Sequence, residues 1–434
     1  MAAIVPSLVL FGLMVLFLGL GTWIFAGLIL VGASSLWFAL DFPWVRIGSI
    51  ATRVISSSAV SWELAAIPVF IWMGDIIFRT DISQRLFRGL SPLVSRVPGG
   101  LLHTNILGCT VFAAISGSST ATTATVGRIT IPQLQSRGYD MGLAAGSLAG
   151  AGSFGLLIPP SIAMIVYGVL ANVSIADLFA AGILPGLMMG LLYSGYIALR
   201  ATIDPTRAPR QAEKSGFREI LKGLRDLFPI FALMFVVLGS IYSGLATPSE
   251  AAAVGVLGAV VITVITGQFS LAMMQESLMS SIRVSAMILI LIAASAFLSS
   301  AIAYMQIPAQ ITDGISALSL PPWGVLVILA VLYIVLGMFL DGTSMTVMTV
   351  PIAVPLIVQA GYDPLWFGVY LVVMIEMSAL TPPVGLNLYI LQGLTGASMG
   401  TTVRQAAPFF GLLLIGTVLL AIFPSIALFL PSLL

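Results

Sequence analysis

Two short polar runs interrupt long apolar sequence: Ser116-Gly117-Ser118-Ser119-Thr120 and Asp341-Gly342-Thr343-Ser344. Each has a companion further along the chain, "GAGSFGLLIPPS" at 150–161 and "MSALTPPVGLN" at 377–387. The companions carry paired prolines, Pro159-Pro160 and Pro382-Pro383. Proline has no backbone N–H and clashes with the preceding turn, so two in succession release carbonyls from a helix. Freed carbonyls together with Ser, Thr and Asn oxygens are hard ligands, suited to Na⁺ by the logic that governs oxygen ligation of Ca²⁺. Helix N-termini beside the same breaks offer unpaired N–H groups and a positive dipole end, which suit an anion such as a carboxylate. One construction can therefore hold sodium and a carboxylate together. Asp341 and Glu376 are the carboxylates that fall deep in these segments, and an ionisable group inside a membrane is a functional candidate by default. Asp341 is a cation ligand or the anchor of its polar tip. Glu376 is a proton site or a hydrogen-bonded structural carboxyl, and Ser153 stands at its equivalent in the first half.

These groups need a scaffold, and composition specifies its solvent. The 434 residues are 59% hydrophobic and 8% charged, against ~25% charged in an ordinary soluble domain. Most of the surface must face lipid, so the chain is an integral membrane protein. The single Cys109 excludes intramolecular disulfides, and the single His103 excludes a histidine metal cluster. A net charge of +1 gives no case for nucleic acid. The chain has no H-E-x-x-H, and Asp140 and Asp363 are turn residues of a repeat rather than an acid pair. No acid–base or metal constellation supports an enzyme. The first 40 residues read as membrane helix, not as a removed signal.

Spans of roughly 20 apolar residues are expected at 6–21, 22–40, 62–78, 141–170, 175–199, 227–245, 250–266, 284–304, 324–340, 365–391 and 408–430. One long tilted helix competes with two spans over the first 40 residues. Segments 45–61 and 269–283 read as amphipathic interfacial helices. Seven basic residues lie between Arg200 and Arg225, out of 17 in the chain, and Arg79, Arg85, Arg88 and Arg96 form a second group. The positive-inside rule puts both groups in the cytoplasm. Tracing the spans from there leaves Arg46 and Arg53 outside, with both termini on the far side.

The chain also repeats itself. "IPQLQSRGYDMG" at 131–142 matches "VPLIVQAGYDPL" at 354–365, a shift of 223 that also carries Pro159-Pro160 onto Pro382-Pro383 and Pro185 onto Pro408. Several ordered matches at one shift indicate an internal duplication. The charge-based trace gives the halves opposite topology, the arrangement of secondary transporters whose site lies between inverted repeats. The expected organisation is a first repeat over 1–200, a basic linker over 201–226 and a second repeat over 227–434. The first holds a hairpin at about 104–130 and a broken helix at 141–170. The second holds a hairpin at about 324–355 and a broken helix at 365–391.

"GSSTATTATVG", "IPQLQSRGYD", "GSFGLLIPPS" and "LTPPVGLNLYILQG" resemble the large membrane subunit of tripartite ATP-independent periplasmic (TRAP) transporters, over nearly the whole chain. The resemblance implies an all-α polytopic protein of the bacterial inner membrane, with two inverted repeats, each holding a re-entrant hairpin and a broken helix. It implies elevator-type, sodium-coupled symport of a small organic acid such as a C4-dicarboxylate or sialic acid. It implies two partners, a small four-helix membrane subunit and a periplasmic substrate-binding protein. Two sodium sites follow by position. One uses Ser116, Gly117, Ser118 and Ser119 with Gly152, Gly155 and Pro159; the other uses Asp341, Gly342, Thr343 and Ser344 with Thr381, Pro382 and Asn387. Ser119, Thr120, Ser153, Pro160, Ser344, Met345, Pro383 and Gly385 are the expected substrate contacts. A stand-alone sodium- or proton-coupled anion transporter of the wider ion-transporter group is the alternative.

Overall fold

The structure is a computed structural model, and it describes residues 5–209, 216–307, 321–382 and 385–434. No strand occurs among the described residues. The first helices, α1 (Val5–Gly19) and α2 (Ile24–Leu40), are separate and pack on each other, so the single tilted helix is not formed. The chain reverses at Gly21, whose φ of +74° suits a residue without Cβ, and the Thr22 hydroxyl donates to the freed Phe17 carbonyl at 2.7 Å. Next come α3 (Trp44–Ala59), α4 (Ala66–Phe78) and α5 (Ile82–Val94). The α3 and α4 axes bend by 57° at their junction. The break falls at 59–61, ahead of a short 3-10 turn at Trp62–Ala65, and Pro68 sits in the first turn of α4, where a missing N–H is tolerated.

The second half opens with α11 (Phe217–Tyr242), α12 (Pro248–Ile265) and α13 (Leu271–Tyr304). Here the expected separate interfacial helix at 269–283 is not found, because α13 runs unbroken for 34 residues. α13 contains neither Gly nor Pro, so no helix breaker interrupts it. Its serines Ser277, Ser281 and Ser285 are buried against the rest of the scaffold, and the Trp72 indole N–H donates to Ser277 at 3.1 Å.

The other elements display the repeat directly. In the first half α6 (His103–Ser116) and α7 (Ser119–Ser136) form a hairpin, followed by α8 (Met141–Gly152), α9 (Ile162–Ala171) and α10 (Ile175–Ile203). In the second half α14 (Pro322–Gly337) and α15 (Gly342–Gln359) form the hairpin, followed by α16 (Pro364–Ala379), α17 (Leu386–Thr395) and α18 (Met399–Ile422). α7 and α15 have 18 residues each and start 223 positions apart; α8 and α16, of 12 and 16 residues, also start 223 positions apart. Asp140 and Asp363 cap equivalent helices, each accepting backbone N–H groups of the first turn. α6 has 14 residues, a rise of about 21 Å that falls short of the ~30 Å hydrocarbon core. Six helices among the described residues are long and apolar enough to cross a membrane, seven if α3 and α4 count as one bent span.

Packing divides these elements into two groups. α1–α4 pack with α11–α13, and α6–α10 pack with α14–α18. α4, α5 and α13 form the seam: α4 touches α6 and α9, α5 packs on α11 and also touches α6 and α7, and α13 touches α9 and α15. A polar brace holds the first group at the end of α4: Arg79 pairs with Asp75 at 2.7 Å and with Glu276 of α13 at 2.7 Å. The pairs are partly exposed, so solvent screens them. Arg79→Ala is expected to cost under about 1 kcal/mol, seen as little change in the melting temperature of the detergent-solubilised protein.

Candidate functional site

The first hairpin turns at Gly117, in the left-handed region at φ +56°, and Ser118 caps α7 by accepting the Ala121 N–H at 3.4 Å. Ser116 works inside the tip. It accepts the Ser118 N–H at 3.1 Å and hydrogen-bonds Thr122 at 2.7 Å. The tip rests on the first break, between α8 and α9. A Cβ on Gly155 would lie 2.3 Å from Ser119 Cα, and a Cβ on Gly117 would lie 3.3 Å from the Pro160 carbonyl oxygen.

Ser119 is the junction of the two halves. Its hydroxyl lies 2.9 Å from the Gly152 carbonyl oxygen and 2.8 Å from Glu376 Oε2, and it accepts from Asn387 Nδ2 at 2.7 Å. Glu376 Oε1 accepts the Leu156 N–H at 3.1 Å. One side chain of α16 thus grips both the first tip and the first break. Ser119, Glu376 and Asn387 are all buried.

The second tip is organised by Asp341. Its carboxylate caps α15, accepting N–H groups of Thr343 at 3.0 Å and Ser344 at 3.2 Å and the Ser344 hydroxyl. Asp341 therefore anchors the tip. Asp341→Ala removes this cap and is expected to cost about 1 kcal/mol, read as a lower melting temperature with the chain still inserted. Gly337 and Gly342 let the hairpin lie against α16: Cβ atoms there would meet Ser378 Oγ at 1.9 Å and Ile375 Cγ2 at 2.5 Å. Thr381 donates to the Met377 carbonyl at 2.8 Å, ending α16, and Pro382 follows at the exposed turn. Pro383 lies outside the described residues.

Both tips and both breaks line one cavity of about 130 Å³. Ser118, Ser119 and Thr120 enter from the first tip and Asp341, Gly342 and Thr343 from the second. Leu156, Glu376, Ser378 and Leu386 come from the breaks. The N-termini of α7, α15 and α17 meet there; those of α7 and α17 present N–H groups and a positive dipole end, whereas that of α15 is capped by the Asp341 carboxylate. Among the described residues none lining it is Arg, Lys or His. A second cavity, of about 10 Å³, lies behind the first tip between Ser116-Gly117 and Pro160-Ser161.

Several expected contacts are placed elsewhere. Ser153 is turned from the cavity: it donates to the Gly150 carbonyl at 2.5 Å and faces Tyr193 of α10 at 3.5 Å. Met345 is fully buried beside Gly337 and does not line the cavity. Asn387, expected at the second tip, gives its amide to Ser119 of the first. Gly385 caps α17 at φ +37° and packs on the Thr381 carbonyl. Pro160 lines the smaller cavity rather than the larger one. Ser161 was not among the expected ligands, although it caps α9, accepting the Met164 N–H at 3.4 Å. A Ser directly before an apolar helical run is an N-cap signal, and it could have pointed there.

The family model for the tripartite ATP-independent periplasmic transporter, DctM component, matches residues 10–426. The chain is 34% identical over 403 residues to the C4-dicarboxylate TRAP transporter large permease protein DctM of Pseudomonas aeruginosa, covering 93% of each. It is 30% identical over 425 residues to the isethionate TRAP transporter permease protein DctMQ of Oleidesulfovibrio alaskensis, covering 98% of this chain and 66% of that one. Among solved structures, the YdaH transporter of Alcanivorax borkumensis has a similar fold, at a TM-score of 0.60 and 16% identity, with 89% of each chain covered.

Proposed function

Because the chain belongs to the DctM-component family of tripartite ATP-independent periplasmic transporters, we propose that it is the large permease of a sodium-coupled importer of a small carboxylate. The transporter sits in the bacterial inner membrane, with the basic segment 200–226 in the cytoplasm. A periplasmic binding protein delivers the substrate, and a small four-helix membrane subunit completes the permease. The DctMQ relative, of which about one third lies outside the match, fits a permease in which both membrane components share one chain.

The observation that carries this reading is the single cavity at the meeting of both tips and both breaks. The two helix N-termini without a carboxylate cap, of α7 and α17, suit a carboxylate there. Among the described residues the wall has no basic side chain and carries the carboxyls of Asp341 and Glu376, so positive charge must arrive with the substrate, which is the role of sodium. Hard oxygens are available for it. The Gly152 carbonyl and Ser119 hydroxyl lie at the first tip, and Ser161, Pro160 and Gly117 surround the smaller cavity. Every residue lining the larger cavity belongs to α6–α9 and α14–α17 or their links, and none to α1–α4 or α11–α13. The site can therefore travel as one body past α4, α5 and α13. This supports elevator alternating access between inverted halves.

The test is uptake into proteoliposomes that contain this chain and its small membrane partner, with the loaded binding protein outside. Uptake is expected only under an inward sodium gradient, and choline in place of sodium abolishes it. Proton-driven uptake by this chain alone would overturn the proposal.

A further inference from the structure

The smaller cavity differs from the larger one in one wall. The larger is lined entirely by the hairpins and breaks, whereas the smaller one is also lined by Phe70 of α4, on the other side of the seam. Its opposite wall carries Ser116, Gly117, Pro160 and Ser161 among the apolar Ile115, Ile162 and Ile165. Its volume of about 10 Å³ is near the threshold for holding one water-sized particle, so it has room for no more than a single ion. Phe70 is 4% exposed, and Phe179 of α10 steadies it with an edge contact at a centroid distance of 6.3 Å. One turn along, Gly74 puts the α4 backbone directly on the tip: a Cβ there would lie 2.8 Å from the Ile115 carbonyl oxygen. α4 thus lies against the tip at two successive contacts.

We propose that Phe70 is a seal supplied by the scaffold: it closes the ion-sized cavity behind the first tip while that tip rests on α4. Sodium then exchanges with that cavity only when the hairpin group shifts along the seam. The ring excludes water from the oxygens, and shedding this apolar cap is what exposes the ion. The proposal rests on the sodium-coupled reading above. It adds a residue outside the substrate cavity that controls when the ion leaves.

The experiment uses the complex of this chain with its small membrane partner, reconstituted as wild type, Phe70→Leu and Phe70→Ala. Two quantities are read without substrate: exchange of radioactive sodium across the vesicle, and the sodium concentration that gives half of the maximal rise in melting temperature. In Phe70→Ala exchange is expected to accelerate and the half-maximal concentration to rise, each by about tenfold, the effect of losing one good contact. Phe70→Leu is expected to fall between. If Phe70→Ala does not fold, the Leu variant carries the test with the same expected direction. Sodium-stabilised wild type with unchanged exchange and midpoint in every folded variant overturns the seal. A wild type that sodium neither stabilises nor drives overturns the sodium-coupled reading itself, so the two failures are distinct.

Discussion

Gly155→Ala is expected to abolish uptake while the chain still inserts. The added methyl would stand 2.3 Å from Ser119 Cα, 2.4 Å from Ser119 N and 2.5 Å from the Ser118 carbonyl carbon. All three are backbone atoms, so no rotamer change relieves the overlap, and the first tip must lift from the first break. Overpacking costs typically 1–3 kcal/mol when side chains can shift, and here the shift falls on the tip itself. Ser119 would then leave Gly152, Glu376 and Asn387 together. A loss of uptake of at least about tenfold is expected, matching the lower part of that energy range. Gly195→Ala is the control. It lies within α10 with nothing inside 4 Å of the new methyl, so it is expected to transport normally, with a helix gain of up to about 1 kcal/mol. Initial uptake rates, scaled to the amount of protein in the membrane, decide it. Gly155→Ala within twofold of wild type would mean that the tip does not rest on Gly155.

The repeat was legible because its punctuation survives in the letters. Asp140 and Asp363 cap equivalent helices, Pro185 and Pro408 sit inside equivalent helices, and the two glycine-containing tips fall where the hairpins turn. Side-chain direction was not legible in the same way. Leu143 to Gly152 of α8 are buried throughout, so apolar periodicity cannot say which face of α8, or of the turn after it, meets the cavity. Ser153 and Glu376 occupy equivalent positions, yet one faces α10 and the other crosses to the opposite half. Contacts between halves join residues far apart in the chain, such as Glu376 with Leu156, and no local pattern encodes them. The continuity of α13 was not legible by comparison of the halves: neither 59–61 nor the repeat positions 282–284 contain Gly or Pro, yet only the first joint breaks. An amphipathic stretch followed by an apolar one looks alike in both cases.

The same junction yields the second large effect, for Ser119→Ala against Thr125→Ala. Both lie on α7 and both remove one hydroxyl. Thr125 is half-buried and has no side-chain hydrogen-bond partner among the described residues, so its loss is expected to leave uptake and its sodium dependence near wild type. Ser119 is different because its oxygen serves three groups. Without it Asn387 Nδ2 and Glu376 Oε2 lose their partner, and Asn387 Oδ1 already has none. Each buried polar group left unsatisfied costs about 1–3 kcal/mol, so a fall in melting temperature accompanies the loss of function. Sodium affinity separates a ligand from a strut. If Ser119 only braces the halves, Glu376→Ala lowers stability similarly and leaves the sodium midpoint alone. If its hydroxyl also faces the ion, Ser119→Ala raises that midpoint further than Glu376→Ala does. Because the two residues touch, the double variant is expected to be less destabilised than the sum of the singles. Strict additivity would mean the Ser119–Glu376 contact does not hold the halves together, and equal effects of Ser119→Ala and Thr125→Ala would place the functional tip elsewhere on the hairpin.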